Sequence, residues 1–166
     1  MSVTGVVKDP VRRTMTVTAE YPSPVERVWR LWSDPRMLER WWGPPSHPAT
    51  VEDHDLVPGG SVTYFMTGPE GDRHRGWWRI TAVDEPHRLE FEDGFAGPDG
   101  APLPDMPVIS ARVDLASLPD GGTRMTITST FPSTDAMEQL LTMGMEEGLR
   151  LAVGQTDALL AEVAAG

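Results

Sequence analysis

The hydrophobic period of this chain changes for the rest of its length at Pro132, and that change limits the possible folds more than any other feature. Before it, apolar residues recur at every second position in one short stretch after another. After it they recur at helical spacing. Thr14 to Tyr21 shows the first pattern most cleanly, with Met15, Val17, Ala19 and Tyr21 on one face and Thr14, Thr16, Thr18 and Glu20 on the other. Such alternation predicts a half-buried strand. Further strands are predicted over 50–57 (with a poor pattern), 61–67, 75–83, 88–92, 108–115 and 123–131. The turn signals Pro58-Gly59-Gly60, Gly68 to Asp72, Glu85-Pro86 and Pro119 to Gly122 separate them. Beyond Pro132, Ser133 or Thr134 can cap one long helix to about Val163. Its stripe includes Met137, Leu140, Leu141, Met145, Leu149, Val153, Leu160 and Val163.

Between the first two strands lies a stretch of another kind, VERVWRLWSDPRMLERWWGPP at 25–45. It holds four of the six tryptophans. Ser23, Pro24 and Glu26 read as N-cap, first helical residue and N3 partner of a capping box. Val25, Val28, Trp29 and Trp32 then form one helical stripe. Asp34-Pro35 ends that helix and caps a second, on which Leu38, Trp41 and Trp42 share a face. The predicted order is strand, two short helices, roughly six antiparallel strands and one long helix. Each strand has one apolar and one polar face, so the sheet is covered on one side only. This is an α+β architecture of about six to seven strands curved around a C-terminal helix. Residues 1–13 read as a loose arm and 14–166 as one domain. Residues 93–107, dense in Gly, Pro and Asp, read as a long loop or lid.

Composition narrows the function. A net charge of −11 argues against nucleic acid and against an anionic membrane surface. The absence of cysteine excludes disulfides, thiol catalysis and Cys-based metal sites. No apolar run is long enough to span a bilayer and no signal peptide opens the chain, so a cytoplasmic protein is expected. Of the 14 basic residues only Lys8 is lysine, a bias associated with GC-rich bacterial genomes.

The segments SPVERVWRLWSDPRMLERWWGP, LVPGGSVTYFMTGPEG, GWWRITAVDEPHRLEF, GGTRMTITSTF and GMEEGLRLAVGQTDALLAEV together resemble the SRPBCC/START-like superfamily. Within it the chain most resembles the family of activator-of-heat-shock-protein-ATPase homologues (AHSA-like). The resemblance covers most of 17–163. It implies the helix-grip fold (START/Bet v-like) and a cavity between sheet and C-terminal helix. It implies no single activity, since such families include co-chaperone domains, lipid or polyketide binders and cyclases. Relatives often carry Gly-Trp where this chain has Gly148-Leu149.

The candidate ligand-binding residues are Trp41, Tyr64, Met66, Trp78, Phe91, Met143, Met145 and Leu149, with Trp42 the alternative to Trp41 at the helical corner. Aromatics offer rigid contact area and methionines adapt to varied ligands. Core filling is the plainer role for any one of them. Gly144 and Gly148 each cost helix stability, which asks for a reason: close packing, or space kept open for a ligand. No catalytic residue, metal ligand or cofactor is assigned. Glu52 to Asp55 looks like a metal cluster, but neighbours on a strand point to opposite faces. His74, His87, Arg75 and Arg88 read as solvated groups near strand ends. Arg112 and Asp114 read as outward residues, with Arg124 or Glu92 as cross-strand partners. Trp77, outward beside Trp78, marks either an interface, with a homodimer the simplest case, or a surface under the arm or the 93–107 loop. Three functions follow. The first is binding of a hydrophobic or amphipathic small molecule, the second a co-chaperone-like interaction module touching a chaperone in a stress response, and the third a cyclase-like enzyme. An acid or base for the last is sought among Tyr64, Asp53 and Asp55.

Overall fold

The computed structural model describes residues 3–165, with side-chain surroundings described through residue 162. Eight strands form one antiparallel sheet: β1 (Val3–Asp9), β2 (Thr14–Tyr21), β3 (Ala49–His54), β4 (Ser61–Thr67), β5 (Arg73–Asp84), β6 (Arg88–Ala96), β7 (Ile109–Ser117) and β8 (Thr123–Thr130). Their spatial order is β1-β2-β8-β7-β6-β5-β4-β3. Helices α1 (Val25–Ser33) and α2 (Pro35–Trp41) sit between β2 and β3 in sequence. Helices α3 (Thr134–Thr142), α4 (Met145–Val153) and α5 (Thr156–Ala165) follow β8. This is the α+β helix-grip arrangement. Among the described residues no helix is long and apolar enough to cross a membrane.

The alternation in β2 becomes strict burial alternation. Its pairing with β8 runs unbroken from Thr14 opposite Thr130 to Tyr21 opposite Thr123. The sheet exceeds the predicted six to seven strands because the arm is a strand. β1 pairs with β2 along its length, and Val3 and Val6 pack against the core. A register shift between Val3 and Gly5 breaks the two-residue period there, which hid the strand. Residues 1 and 2 of that arm lie outside the described residues. The 93–107 loop also contracts. Asp93 to Ala96 continue β6, paired with β5 from Trp78 opposite Asp93 to Arg75 opposite Ala96. The connection to β7 then begins at Gly97.

Helix ends hold further corrections. Pro24, not Ser23, occupies the N-cap of α1 and no side chain caps it, so the capping box is not made. Ser23 instead accepts the Thr123 hydroxyl through its carbonyl at 2.8 Å, tying the helix entrance to β8. Asp34 does cap α2, accepting the Arg36 amide at 2.9 Å. Ser133 caps α3, accepting the Ala136 amide at 3.0 Å. The single long C-terminal helix is three. Gly144 adopts φ +93°, a left-handed backbone that ends α3 and starts α4. A second break falls at Gly154-Gln155. Val163, placed in the stripe by its spacing, lies beyond the described side chains.

The interior has two clusters. The larger gathers α1, α2 and α5 against the sheet and includes Trp29, Trp32, Trp41, Trp78 and Phe91. Trp32 meets Trp41 edge-on at 4.8 Å between ring centroids, and Trp78 stacks on Phe91 at 4.0 Å. The Trp41 indole donates to the Leu31 carbonyl at 2.9 Å, which pins the corner between the two helices. Tyr21 and Thr156 share a buried hydrogen bond of 2.7 Å that fastens α5 to β2. The smaller cluster holds Met15, Val17, Ile109, Phe131, Met137 and Leu140 under α3.

Candidate functional site

A cavity of about 290 Å³ opens between these clusters, where α3 and α4 cross the inner face of the sheet. Tyr64 and Met66 reach it from β4, Phe91 and Phe95 from β6, and Ile109 and Ala111 from β7. Leu140 closes it from α3, and Met145 and Leu149 from α4. The space exists because α4 withholds side chains. A methyl group added at Gly148 would meet nothing within 4 Å, and the same holds at Gly144. Both glycines border the cavity. Gly148 therefore keeps room, whereas Gly144 is exposed and turns the backbone. Close helix packing explains neither.

Apart from Ser129 on β8, the polar groups of the wall gather at one end. There the Tyr64 hydroxyl donates to Asp93 Oδ1 at 3.3 Å. Burial pushes the Asp93 carboxyl up from its ordinary 3.8 to about 7, although the Tyr64 hydrogen bond lowers it. Burial, and after it the nearby Asp93 charge, raises the Tyr64 phenol well above 10. The indole N–H groups of Trp42 and Trp78 lie near the Tyr64 oxygen, where they favour its negative charge. Neither reaches hydrogen-bond geometry with any group, and both are buried. Gly76, on β5 opposite Tyr64, makes room for this ring, since any β-carbon there would collide with the hydroxyl. At the rim, His74 Nε2 sits 2.6 Å from Asp72 and Arg75 pairs with Glu52 at 2.5 Å.

Of the candidate ligand-binding residues, Tyr64, Met66, Phe91, Met143, Met145 and Leu149 border the cavity. Met143 is mostly exposed, at 59%, and stands at its edge. Trp41 and Trp78 do not border it. Both are fully buried in the larger cluster, and Trp42 takes the corner position on the cavity wall. The other candidates are accounted for elsewhere. Thr63 donates its hydroxyl to Asp53 at 2.7 Å, and His54 Nε2 lies 3.0 Å from the Trp32 carbonyl. Arg112 pairs within its own strand with Asp114, which also receives Arg88 from β6, while Arg124 pairs with Glu20 on β2. Trp77 is half-buried and donates to the Phe95 carbonyl at 3.1 Å. Its ring lies over Gly94, where a β-carbon would collide with it, so it covers a strand glycine of β6. It is not a free outward tryptophan.

Asp93 is the functional candidate that sequence reading missed. Assigning 93–107 to a loop removed it from the alternation. Leu89 and Phe91 point inward, and two further steps of the same period reach Asp93 and Phe95. The signal was present, and the Gly, Pro and Asp density of 93–107, read as one loop, masked it.

The sequence profile of the family described as "Activator of Hsp90 ATPase homolog 1-like protein" matches residues 22–161. Among solved structures, protein Ms6760 from Mycobacterium smegmatis is 54% identical, with 95% of this chain and 96% of that chain covered and a TM-score of 0.88. A protein from Arthrobacter aurescens, solved by NMR, is 49% identical over 97% of this chain and 93% of that one, with a TM-score of 0.93. A Staphylococcus epidermidis protein is 27% identical over 95% and 93% of the two chains, with a TM-score of 0.82. No curated protein matches the chain significantly.

Proposed function

The chain belongs to the family of activator-of-Hsp90-ATPase-homolog-1-like proteins, and from that premise we propose that it binds a small hydrophobic or amphipathic molecule between the sheet and α4. The observation that carries this reading is the cavity of about 290 Å³ in a chain of this size, left open by Gly148. Cores of this kind are ordinarily packed without voids larger than a water molecule. A largely apolar concavity with a few convergent polar groups is the usual form of a small-molecule site, and this one lies at the small end of the usual range. Met66, Met145 and Leu149 supply adaptable walls, Phe91 a flat one, and the Tyr64–Asp93 pair the oriented end.

Titration with the neutral fluorophore N-phenyl-1-naphthylamine tests this. The expected result is a saturable rise in emission that Gly148→Leu abolishes while the variant still unfolds cooperatively. No uptake by the native protein would overturn the binding reading and return the weight to chaperone contact, the role that the family's description carries.

A further inference from the structure

The cavity wall keeps two polar groups without partners, on opposite sides of its sheet surface. Asp93 on β6 accepts the Tyr64 hydroxyl at Oδ1, and its other oxygen makes no hydrogen bond among the described residues. Ser129 on β8 is only 3% exposed, and its hydroxyl makes no hydrogen bond among the described residues. Both side chains border the cavity. The unpartnered Trp42 and Trp78 indole nitrogens differ from them, being sealed inside the wall. A buried polar group is costly until something pairs with it, and here the open side is the cavity. Strand pairing sets the distance between the two. Phe91 lies opposite Ala111, and Ala111 opposite Ser129, so these three form one row across β6, β7 and β8. Asp93 stands two residues along β6 from Phe91, on the same face, opposite Ile109. Two strand spacings across and two residues along put about 12 Å between the two backbones. Ile109, Ala111 and Ile127 supply the apolar surface of the cavity on these strands.

We propose that the ligand is a rigid, mainly apolar molecule with an oxygen function at each end. A hydroxyl at one end donates to the free oxygen of Asp93. A hydroxyl or carbonyl oxygen at the other end pairs with Ser129. This deepens the binding reading and rests on it. The donor belongs at Asp93 because a carboxyl group keeps lone pairs to accept with whether or not it is ionised. Tyr64 cannot supply that donor, since its one proton is spent on Oδ1. His74 and Arg75, which also border the cavity, are held at its rim by Asp72 and Glu52. Ser129 both donates and accepts, so it takes either kind of oxygen. A carboxylate ligand fits neither end. One end already holds a carboxyl group, and the other offers a single hydroxyl with no cation beside it.

Four rods of one shape separate the outcomes: biphenyl, 4-fluorobiphenyl, 4-phenylphenol and 4,4′-dihydroxybiphenyl. Binding to the native full chain is read by isothermal titration calorimetry at pH 7. The first hydroxyl is expected to tighten binding roughly five-fold over biphenyl, and the second roughly five-fold again, each the worth of one net hydrogen bond. Asp93→Leu should cut the preference for dihydroxybiphenyl over biphenyl about five-fold, and Ser129→Ala should cut it by a similar factor. Equal affinities across the series, or a gain that the fluorine atom reproduces, would overturn this inference and leave the cavity reading intact. A preference that survives both substitutions would also overturn it, by placing the hydroxyls elsewhere. If Asp93→Leu does not fold, Ser129→Ala and the four ligands on the native chain still decide. Failure of all four to bind would overturn the cavity reading itself.

Discussion

The two ends of the concave face of the sheet are filled by opposite means. At the α1–α2 end, tryptophans meet edge to face and polar tips find partners, as with Trp41 on Leu31 and Tyr21 on Thr156. At the α4 end, glycine replaces bulk, the helix buries only Ala152 and Val153 fully, and polar tips are left over. The first end has the character of an interior optimised for stability. The second has surrendered packing, and the unpaired groups are on the boundary between the two. Trp42 and Trp78 show this directly, since their rings belong to the packed end while their N–H groups lie by Tyr64. Stability and site are thus divided by position within one sheet.

Substitutions at the two ends should differ accordingly. Trp32→Ala removes a fully buried ring that touches Trp41, Trp42 and Trp78, and should cost about 3–5 kcal/mol in chemical denaturation. Trp78→Ala should behave the same way, losing stability before it loses ligand uptake. A small cost at either position would erase the contrast between the ends.

Asp93→Asn should have the next largest effect, and one that depends on pH. The folded carboxyl titrates near 7 and the unfolded one near 3.8. Between those values the folded chain holds a proton that the unfolded chain has released, so the contribution of this group to stability falls as pH rises from about 4 to 7 and is flat above. The amide cannot ionise. The variant should therefore be the more stable at pH 8, by on the order of 2 kcal/mol, and the difference should vanish near pH 4. A pH-independent difference would mean that Asp93 is hydrated like a surface carboxylate.

Leu149→Ala, on a half-buried cavity wall, should cost about 1 kcal/mol, well below the tryptophan substitutions. Gly148→Ala should change sign, gaining up to about 1 kcal/mol because the site is helical and the space is empty. Gly144→Ala should instead lose stability, since the backbone there stands at φ +93°. Thermal melts of the two alanine variants side by side would show whether the two glycines serve different ends.

The legibility of the molecule follows the same division. The packed end was readable because large apolar residues at regular spacing announce both element and face. Val25, Val28, Trp29 and Trp32 lie buried on α1 as their spacing requires. The strands with strict alternation were readable for the same reason. What was lost lies where backbone geometry overrides pattern. A register shift hid β1, the end of β6 was counted into a Gly- and Pro-rich loop, and a left-handed glycine broke a helix whose stripe runs on uninterrupted. The site suffered most, because it is built from such exceptions. Gly76 yields to Tyr64, Gly148 to empty space, and the acid of the pair sat inside a misread segment.

The break at Gly144 has a further consequence for motion. Continuous with its neighbours, α4 would share their fate and open only when the whole C-terminal region unfolded. Bounded by Gly144 and Gly154, it is a nine-residue segment with most of its surface outside the core, and it can melt alone. Its backbone amides should then exchange with deuterium well ahead of those in β2 and β8. The wall that α4 contributes to the cavity would then loosen by the fraying of one short helix, at a small part of the free energy of global unfolding.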